Sequence, residues 1–387
     1  PTAEVKPIEP GGIDVALRYG SGEWPGLEAE LLVQSPIAVV AATSLVGMRD
    51  FDDLNDLRAF HWLQELGTNE ATEWFARLGV GRNRAMGISS LPGNLMIEAA
   101  RRNKRVMQVG TQSRSTRHVM KAMELLRNGA IGRVLVSKAW NSQKRSSIGK
   151  AKPGAPPAHL DFDTWLGPAP KVSYQSNMLH GIWRWWHAFG TGDMGNDGVH
   201  DLDIARWGLG VTTHPSRIAA LGGKYFFDDD QQFPDTQNVL FEYEPDTEGG
   251  RPRQLIFEQR IWAPYFEQGY ENGDAFYGTD GLMLLGKHGG WKLFGPRNKL
   301  REQMSGSPDL RAHHDDFFRC IREGGTPNAD IEIGHLSSSL CHLGNIATRV
   351  GRVLEFDPKR EQIVGDDEAN ALVTRKYSDH WGRPNGV

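Results

Sequence analysis

The hydrophobic and polar positions divide the chain into two regions of different texture. Up to about residue 130, short apolar or alternating runs predict strands, and apolar residues spaced three and four apart predict amphipathic helices between them. The predicted strands cover 13–17, 37–41 and 104–109, and the predicted helices cover 53–57, 70–78, 92–101 and 117–127. This alternation favours a small α/β layer at the N-terminus.

The second region is dominated by strand-like runs that long polar loops separate. These runs cover 133–139, 217–221, 239–243 and 254–261. Such spacing predicts a large, mostly antiparallel open sheet, and helices at 198–209, 313–323 and 335–350 are expected on one of its faces. We therefore expect a combination of α/β and α+β architecture, with an N-terminal α/β segment over 1–130 and a second domain over 131–387.

Composition limits the class of protein without identifying it. The chain has 387 residues, 39% of them hydrophobic, a net charge of −4 and only two cysteines. These values suit a globular protein of two domains in a reducing compartment and exclude a disulfide scaffold. The charge does not indicate a nucleic-acid partner, and no apolar run approaches the ~18 residues of a membrane span. Because no export signal follows Pro1, we expect a cytoplasmic protein. The composition suits a soluble protein that binds a small-molecule ligand.

One glycine turn has the spacing of a dinucleotide site but not its chemistry. Gly20, Gly22 and Gly26 follow the first predicted strand, where backbone N–H groups at a helix N-terminus could bind a pyrophosphate. Glu23, however, would set a negative charge beside the phosphates, and Pro25 with Gly26 would break the helix. An ordinary turn is the favoured interpretation.

The strongest local signal is a glycine-dense loop, GTGDMGND at 190–197, that leads into the helix predicted at 198–209. His200 and Asp203 share one face of that helix. Histidine exchanges protons near neutral pH, and a nearby carboxylate can orient it, so both are candidate catalytic residues. A buried structural histidine beside a glycine turn explains the same pattern.

An aromatic and basic cluster precedes this loop. Trp183 and Arg184 could form a wall that holds a sugar or an anion, although they fit the edge of a core equally well. Other histidines are weaker candidates: His335 and His342 lie seven apart on one predicted helix, and 313–316 reads HHDD. A metal needs three or four converging ligands, which neighbours on one helix do not supply. No metal site is predicted.

Several segments of the second region resemble the Gfo/Idh/MocA family of NAD(P)-dependent oxidoreductases. They are VGTQSRS at 109–115, WRW at 183–185, GNDGVHDLDIARW at 195–207, FDDD at 227–230, PDTQ at 234–237, YGTDG at 277–281 and LCHLGNI at 340–346. The resemblance extends over about 102–387. It implies a substrate domain built on a large sheet, beside a Rossmann domain that binds NAD or NADP.

Within this resemblance, His200 matches the histidine that serves proton transfer, and Asn196 stands where many relatives carry aspartate. The resemblance implies that Arg184, Trp183 and Asn196 bind the substrate, a sugar or polyol, and that His200 and Asp203 act on it. Gln112 and Arg114 are weak candidates for cofactor binding. The lysine of the family's Glu-Lys-Pro motif has no counterpart, since that motif is missing from the sequence. A homo-oligomer formed through the sheet is also expected.

The N-terminal region resembles a different family. IDVALRYG at 13–20, WPGL at 24–27, WLQE at 62–65 and LPGNL at 91–95 are similar to the effector-binding domain of LysR-type regulators, over about 12–100. We therefore hypothesise a fusion, with its junction near 97–101 and with the regulator segment replacing most of the Rossmann domain. The favoured function is an NAD(P)-dependent sugar or polyol oxidoreductase. The alternatives are a non-enzymatic sugar- or effector-binding protein and a chimera without activity.

Overall fold

The computed structural model describes residues 92–247 and 249–374. These residues belong to one compact unit. The strands and helices predicted before residue 92, and the turn from Gly20 to Gly26, lie outside the described residues. The predicted domain boundary at 130 stays a prediction.

A ten-stranded sheet forms the centre of the described structure, in the order β10-β9-β2-β3-β4-β1-β5-β6-β7-β8. Only the β1–β4 pair is parallel among these strands, and the other pairs are antiparallel. The strands are β1 Val134–Asn141, β2 Arg217–Gly223, β3 Thr236–Tyr243, β4 Arg253–Arg260, β5 Asn272–Gly278, β6 Leu282–Gly286, β7 Gly290–Gly295, β8 Lys299–Met304, β9 Leu354–Asp357 and β10 Gln362–Ile363. The mostly antiparallel sheet is confirmed.

The strand register gives the sheet an inner and an outer face. Phe241 of β3 pairs with Leu255 of β4, and both are fully buried on the inner face. Their neighbours Leu240 and Ile256 pair on the outer face, where Leu240 is 41% exposed. This alternation follows from the two-residue period of a strand.

Helices cover the inner face. They are α1 Pro92–Arg102, α2 Arg117–Arg127, α3 Phe162–Leu166, α4 Gly192–Asn196, α5 Gly198–Leu209, α6 Leu310–Glu323, α7 Ile331–Val350 and α8 Asp367–Asn370. In α2 the buried residues Val119, Ala122, Met123 and Leu126 repeat with helical spacing. The helices α2, α5 and α7 pack on the sheet, and α1 packs on α7. The predicted helices on one face are therefore confirmed.

The prediction of a strand at 104–109 was wrong. The segment begins in a turn at Lys104, and among the described residues Gln108 makes only an isolated bridge with Asp330, beside the start of α7. A strand needs a neighbouring strand with which to pair, and here the neighbouring backbone turns into a helix. The strands β5 to β10 were not predicted. Residues 142–158 form a long loop that carries neither helix nor strand. Among the described helices, none combines the length and the apolar character that a membrane crossing requires.

Candidate functional site

Helix α5 lies directly on the inner face of the sheet, against β1, β4 and β5. Two glycines permit this close approach. A Cβ on Gly198 would lie 2.7 Å from the Phe257 ring, and a Cβ on Gly208 would lie 2.2 Å from the Phe276 ring. Leu202, Ile204 and Leu209 anchor the helix in the core. The helix therefore holds its polar residues at fixed positions between the sheet and α7.

His200 lies in the first turn of α5 and is partly buried. Its backbone N–H donates to the Asp197 carbonyl at 3.1 Å. Its Nδ1 is buried and has no hydrogen-bond partner among the described residues. Burial lowers the pKa of His200, and the positive charge of Lys287 lowers it further. The imidazole is therefore held in its neutral form, which can accept a proton.

A charged layer lies beside His200, on the strands and turns next to α5. Lys287, in the turn after β6, is 7% exposed and donates to Asp197 Oδ1 at 3.1 Å and Asp201 Oδ2 at 2.8 Å. Asn272 of β5 donates to Asp197 Oδ2 at 2.6 Å. Burial by itself lowers the pKa of Lys287, but Asp201 and Asp197 outweigh burial and raise it. Lys287 is therefore held as a cation below α5.

Two carboxyl groups in this layer have raised pKa values. Asp274 of β5 is fully buried, and neither of its oxygens has a partner among the described residues. Burial, followed by the charge of Asp201, raises the pKa of Asp274 well above its ordinary value. Burial also raises the pKa of Asp201 to about 7, although Lys287 opposes this shift. Asp274 is therefore held in its protonated form, and the ion pair with Lys287 keeps the pKa of Asp201 lower than burial alone would.

A second polar cluster ties the 142–158 loop to α4. Asp193 is fully buried and accepts from Asn141 Nδ2 at 3.0 Å, from Arg145 Nη2 at 3.0 Å and from Asn196 Nδ2 at 3.1 Å. Arg145 also approaches Asp197 at 4.0 Å. The loop therefore begins at the same group of residues that positions His200.

Asp203, a predicted catalytic residue, is fully buried on the same helix as His200. Its oxygens accept from Arg114 Nε at 2.7 Å, Arg114 Nη2 at 3.0 Å and Ser337 Oγ at 2.5 Å. The Arg114 guanidinium also stacks 4.6 Å from the centre of the Trp207 ring. These contacts are those of a helix-packing partner. The catalytic role of Asp203 stays a prediction. The cofactor-binding roles of Arg114 and of the partly buried Gln112 stay predictions too.

The predicted substrate wall lies in a 3-10 turn, Gly181–Trp185. Trp183 is 43% exposed, whereas Arg184 lies over the ring of the buried Trp185 at 5.5 Å and donates to the Gly181 carbonyl at 2.5 Å. This turn packs on α4, which carries the exposed Asn196. The three residues thus lie on adjoining elements, and their role in substrate binding stays a prediction.

The glycines before α5 do not form a binding turn for a dinucleotide. Gly190, Gly192 and Gly195 have the GxGxxG spacing, but no strand precedes them. A Cβ would meet the Arg184 backbone at 2.1 Å from Gly190 and the Thr191 side chain at 1.9 Å from Gly195. These glycines therefore serve close packing. Within 92–247 and 249–374, no strand leads through such a turn into a helix, so the described residues do not fit the cofactor's phosphates.

Sequence reasoning did not find Lys287, Asn272 or Asp274. They lie on strands and turns that were not predicted, and none belongs to a motif. One signal was present, because Asp274 lies on the same inward face of its strand as the apolar Phe276. A carboxyl group at such a position needs an explanation.

Two family models match separate parts of the chain. The C-terminal α/β domain of the Gfo/Idh/MocA oxidoreductase family matches residues 118–240 and 291–383, more than half of the chain. The LysR substrate-binding domain matches residues 2–102. The two matches do not overlap, and the junction predicted at 97–101 lies at the end of the LysR match.

Two curated transcriptional activators are similar to part of the chain. The AhcY transcriptional activator HvrB of Rhodobacter capsulatus is 29% identical over 80 residues, which cover 21% of this chain and 27% of that protein. The transcriptional activator AmpR of Citrobacter koseri is 32% identical over 91 residues, which cover 22% and 30%. The chain therefore spans less than a third of the length of these regulators.

Solved structures match at low identity. An aldose-aldose oxidoreductase from Caulobacter crescentus, complexed with glycerol, is 17% identical, with a TM-score of 0.49 and coverage of 68% of both chains. A levoglucosan dehydrogenase in complex with NADH and levoglucosan is 16% identical, with a TM-score of 0.49 and coverage of 68% and 69%. The family assignment rests on the domain match and not on these similarities.

Proposed function

We propose that this chain, which belongs to the Gfo/Idh/MocA oxidoreductase family, oxidises a hydroxyl group of a sugar or polyol with NAD or NADP as the oxidant. The observation that carries the proposal is the state of His200. Its ring is neutral, its Nδ1 lacks a partner among the described residues, and a buried helix holds it in place. A hydroxyl group must lose its proton when it is oxidised to a carbonyl, and His200 is the group equipped to accept that proton.

The neighbours of His200 act as positioning residues in this proposal. Lys287 keeps the imidazole neutral through its charge, and Asp197 fixes the helix start by accepting from Lys287 and Asn272. Arg184 and the exposed Trp183 would hold the sugar, because aromatic faces and guanidinium groups suit its apolar faces and hydroxyl oxygens. Asn196 would supply a further hydrogen bond from α4.

The nicotinamide cofactor is assigned to no described residue. The phosphate-binding turn that such a cofactor needs has no counterpart within 92–247 and 249–374. Binding of NAD or NADP is therefore the first property to measure.

A second candidate function is a small-molecule binding protein without turnover. The match of residues 2–102 to the LysR substrate-binding domain favours it, because such a domain binds an effector and needs no cofactor. In this case the segment matched at 2–102 would bind an effector, or the polar residues around His200 would bind a sugar without transferring a proton.

Titration with NADH and NADPH separates the two candidates. The chain has 12 tryptophans, so quenching or energy transfer reports binding sensitively. The oxidoreductase proposal requires saturable binding of one nicotinamide and turnover with a panel of aldoses and polyols. If neither nucleotide binds and a sugar does, the second candidate stands and the first fails.

The His200→Ala variant then tests the proton acceptor. We expect turnover to fall by roughly 10²–10⁴-fold, as for a lost general base, while nucleotide binding is retained. The matched control is His314→Ala, which removes an exposed histidine on α6. Equal rates for the two variants would make His200 a structural residue.

A further inference from the structure

Three side chains from distant parts of the chain converge in a buried cluster away from His200. His214 lies in the loop between α5 and β2, His335 lies in the second turn of α7, and Glu361 lies between β9 and β10. Glu361 Oε1 is 3.0 Å from His214 Nε2 and 2.9 Å from His335 Nε2. The potential ligand atoms all lie within 4.8 Å of one another.

We propose that His214, His335 and Glu361 form a binding site for a divalent transition metal, for which zinc is the best match. Two imidazole nitrogens and one carboxylate oxygen are a common zinc ligand set. Ligand atoms of a tetrahedral site with bonds of about 2.0–2.1 Å are separated by about 3.3 Å. The two distances from Glu361 Oε1 to the imidazole nitrogens, 3.0 and 2.9 Å, are within a few tenths of an ångström of that spacing, so shifts of the side chains would admit the ion.

The cluster has unused coordinating capacity. Glu361 Oε2 and His214 Nδ1 are both buried, and neither has a hydrogen bond of normal geometry among the described residues. Buried polar atoms are usually paired. A cation bound by the carboxylate would pair Oε2, and it would replace the two imidazole hydrogen bonds to Oε1, because each coordinating nitrogen must give up its proton.

The charge of the cluster also favours a cation. No lysine or arginine forms an ion pair with Glu361 within the described ranges, so a metal ion would supply the missing positive charge.

The backbone presents Glu361 to this cluster at an energetic cost. Its φ is 53°, in the left-handed region that residues other than glycine rarely adopt. Such conformations persist when the surrounding structure requires them and often occur at ligand sites. Here the conformation places the carboxylate against both imidazoles.

The expected role is structural. The three ligands would join the loop after α5, the N-terminal part of α7 and the turn before β10. Two residues beyond His335, Ser337 contacts both Asp203 and Arg206 of α5. A metal at this site would therefore fix the two helices that frame the candidate active site, without touching the substrate.

The test uses the full chain without an affinity tag, stripped with EDTA and dialysed against zinc. Elemental analysis should find about one zinc per chain, and the midpoint of thermal unfolding should rise with zinc. The Glu361→Gln variant should bind zinc at least about 100-fold more weakly, since even outer-sphere changes cost 10–100-fold. His313→Gln, which alters a buried histidine on α6, should leave zinc binding unchanged.

Cobalt provides a measurement that needs no variant. The wild-type chain loaded with Co²⁺ should show the visible d–d absorption of a four-coordinate site, and zinc should displace it. The His335→Cys variant, which keeps a ligand, should retain metal and gain a thiolate-to-cobalt absorption. If wild-type chain holds less than stoichiometric zinc and gives only the spectrum of hydrated cobalt, the cluster is a hydrogen-bonded triad and the proposal is overturned.

Discussion

His200 owes its neutral form to two properties of its surroundings. The larger is burial between α5 and the sheet, and the smaller is the positive charge of Lys287. Both lower its pKa below the ordinary value of 6.5. A histidine with a lowered pKa can still accept a proton as the pH falls below 6.5. It loses this capacity only when the pH drops below its own pKa.

Removal of Lys287 should therefore shift the acid limb of activity to higher pH. In Lys287→Met the repulsive charge is gone, and Asp197 and Asp201 lose their counter-ion, so both changes favour the imidazolium. We expect a shift of roughly one pH unit in the profile of kcat/KM and in an NMR titration of the His200 ring, which requires no turnover. Lys299→Met, an exposed change on β8, is the control. An unchanged titration in Lys287→Met would mean that Lys287 only stabilises the fold.

At the scale of the elements, a buried ion pair ties α5 to its neighbours. Arg114, in the 3-10 turn before α2, binds both oxygens of Asp203, and Ser337 of α7 binds the same carboxylate. The side chains of Arg114 and Asp203 are 5% and 0% exposed. The position of His200 on the sheet therefore depends on contacts three residues further along its own helix.

The Arg114→Met variant tests this dependence. It leaves Asp203 buried beside Arg206 and Ser337 without its main partner, and we expect the free energy of unfolding to fall by about 3 kcal/mol. Urea denaturation measures the change. The matched control is Lys121→Met, which breaks the exposed Lys121–Glu124 pair and should cost less than about 1 kcal/mol. Equal costs for the two variants would show that the buried pair does not hold α5.

The helices were more predictable than the strands, for a physical reason. The helices α2 and α5 begin and end at the residues that the sequence pattern gave, because helical spacing and end signals are local. The strands β5 to β8 were missed, since a strand is stabilised by a partner that sequence patterns do not identify. The same reason explains why 104–109 was predicted as a strand and pairs only at Gln108.

At the scale of the whole molecule, the outer face of the sheet carries exposed apolar side chains. Leu221, Leu240 and Tyr277 are 74%, 41% and 43% exposed, and the register places them on the face opposite the helices. Apolar surface of this kind favours association. We propose that two copies of the chain pair through this face.

A charge placed on that face should separate the copies. Leu240→Asp should convert the assembly to monomers, as measured by light scattering during size-exclusion chromatography, because a buried unpaired carboxylate is costly. Met120→Asp alters an exposed apolar residue of α2 on the helical side and should leave the mass unchanged. A wild-type chain that is monomeric at micromolar concentration would refute the proposal.

The sequence by itself determined the two family segments, the mostly antiparallel sheet, the long helices and the place of His200 at the start of one of them. These follow from motifs and periodicities that span a few residues. Tertiary structure alone decided which groups surround that histidine. Lys287 reaches Asp201 across 86 positions, and Glu361 reaches His214 across 147. The chemistry of both clusters depends on burial and on distances that appear only when strands from separate parts of the chain pair.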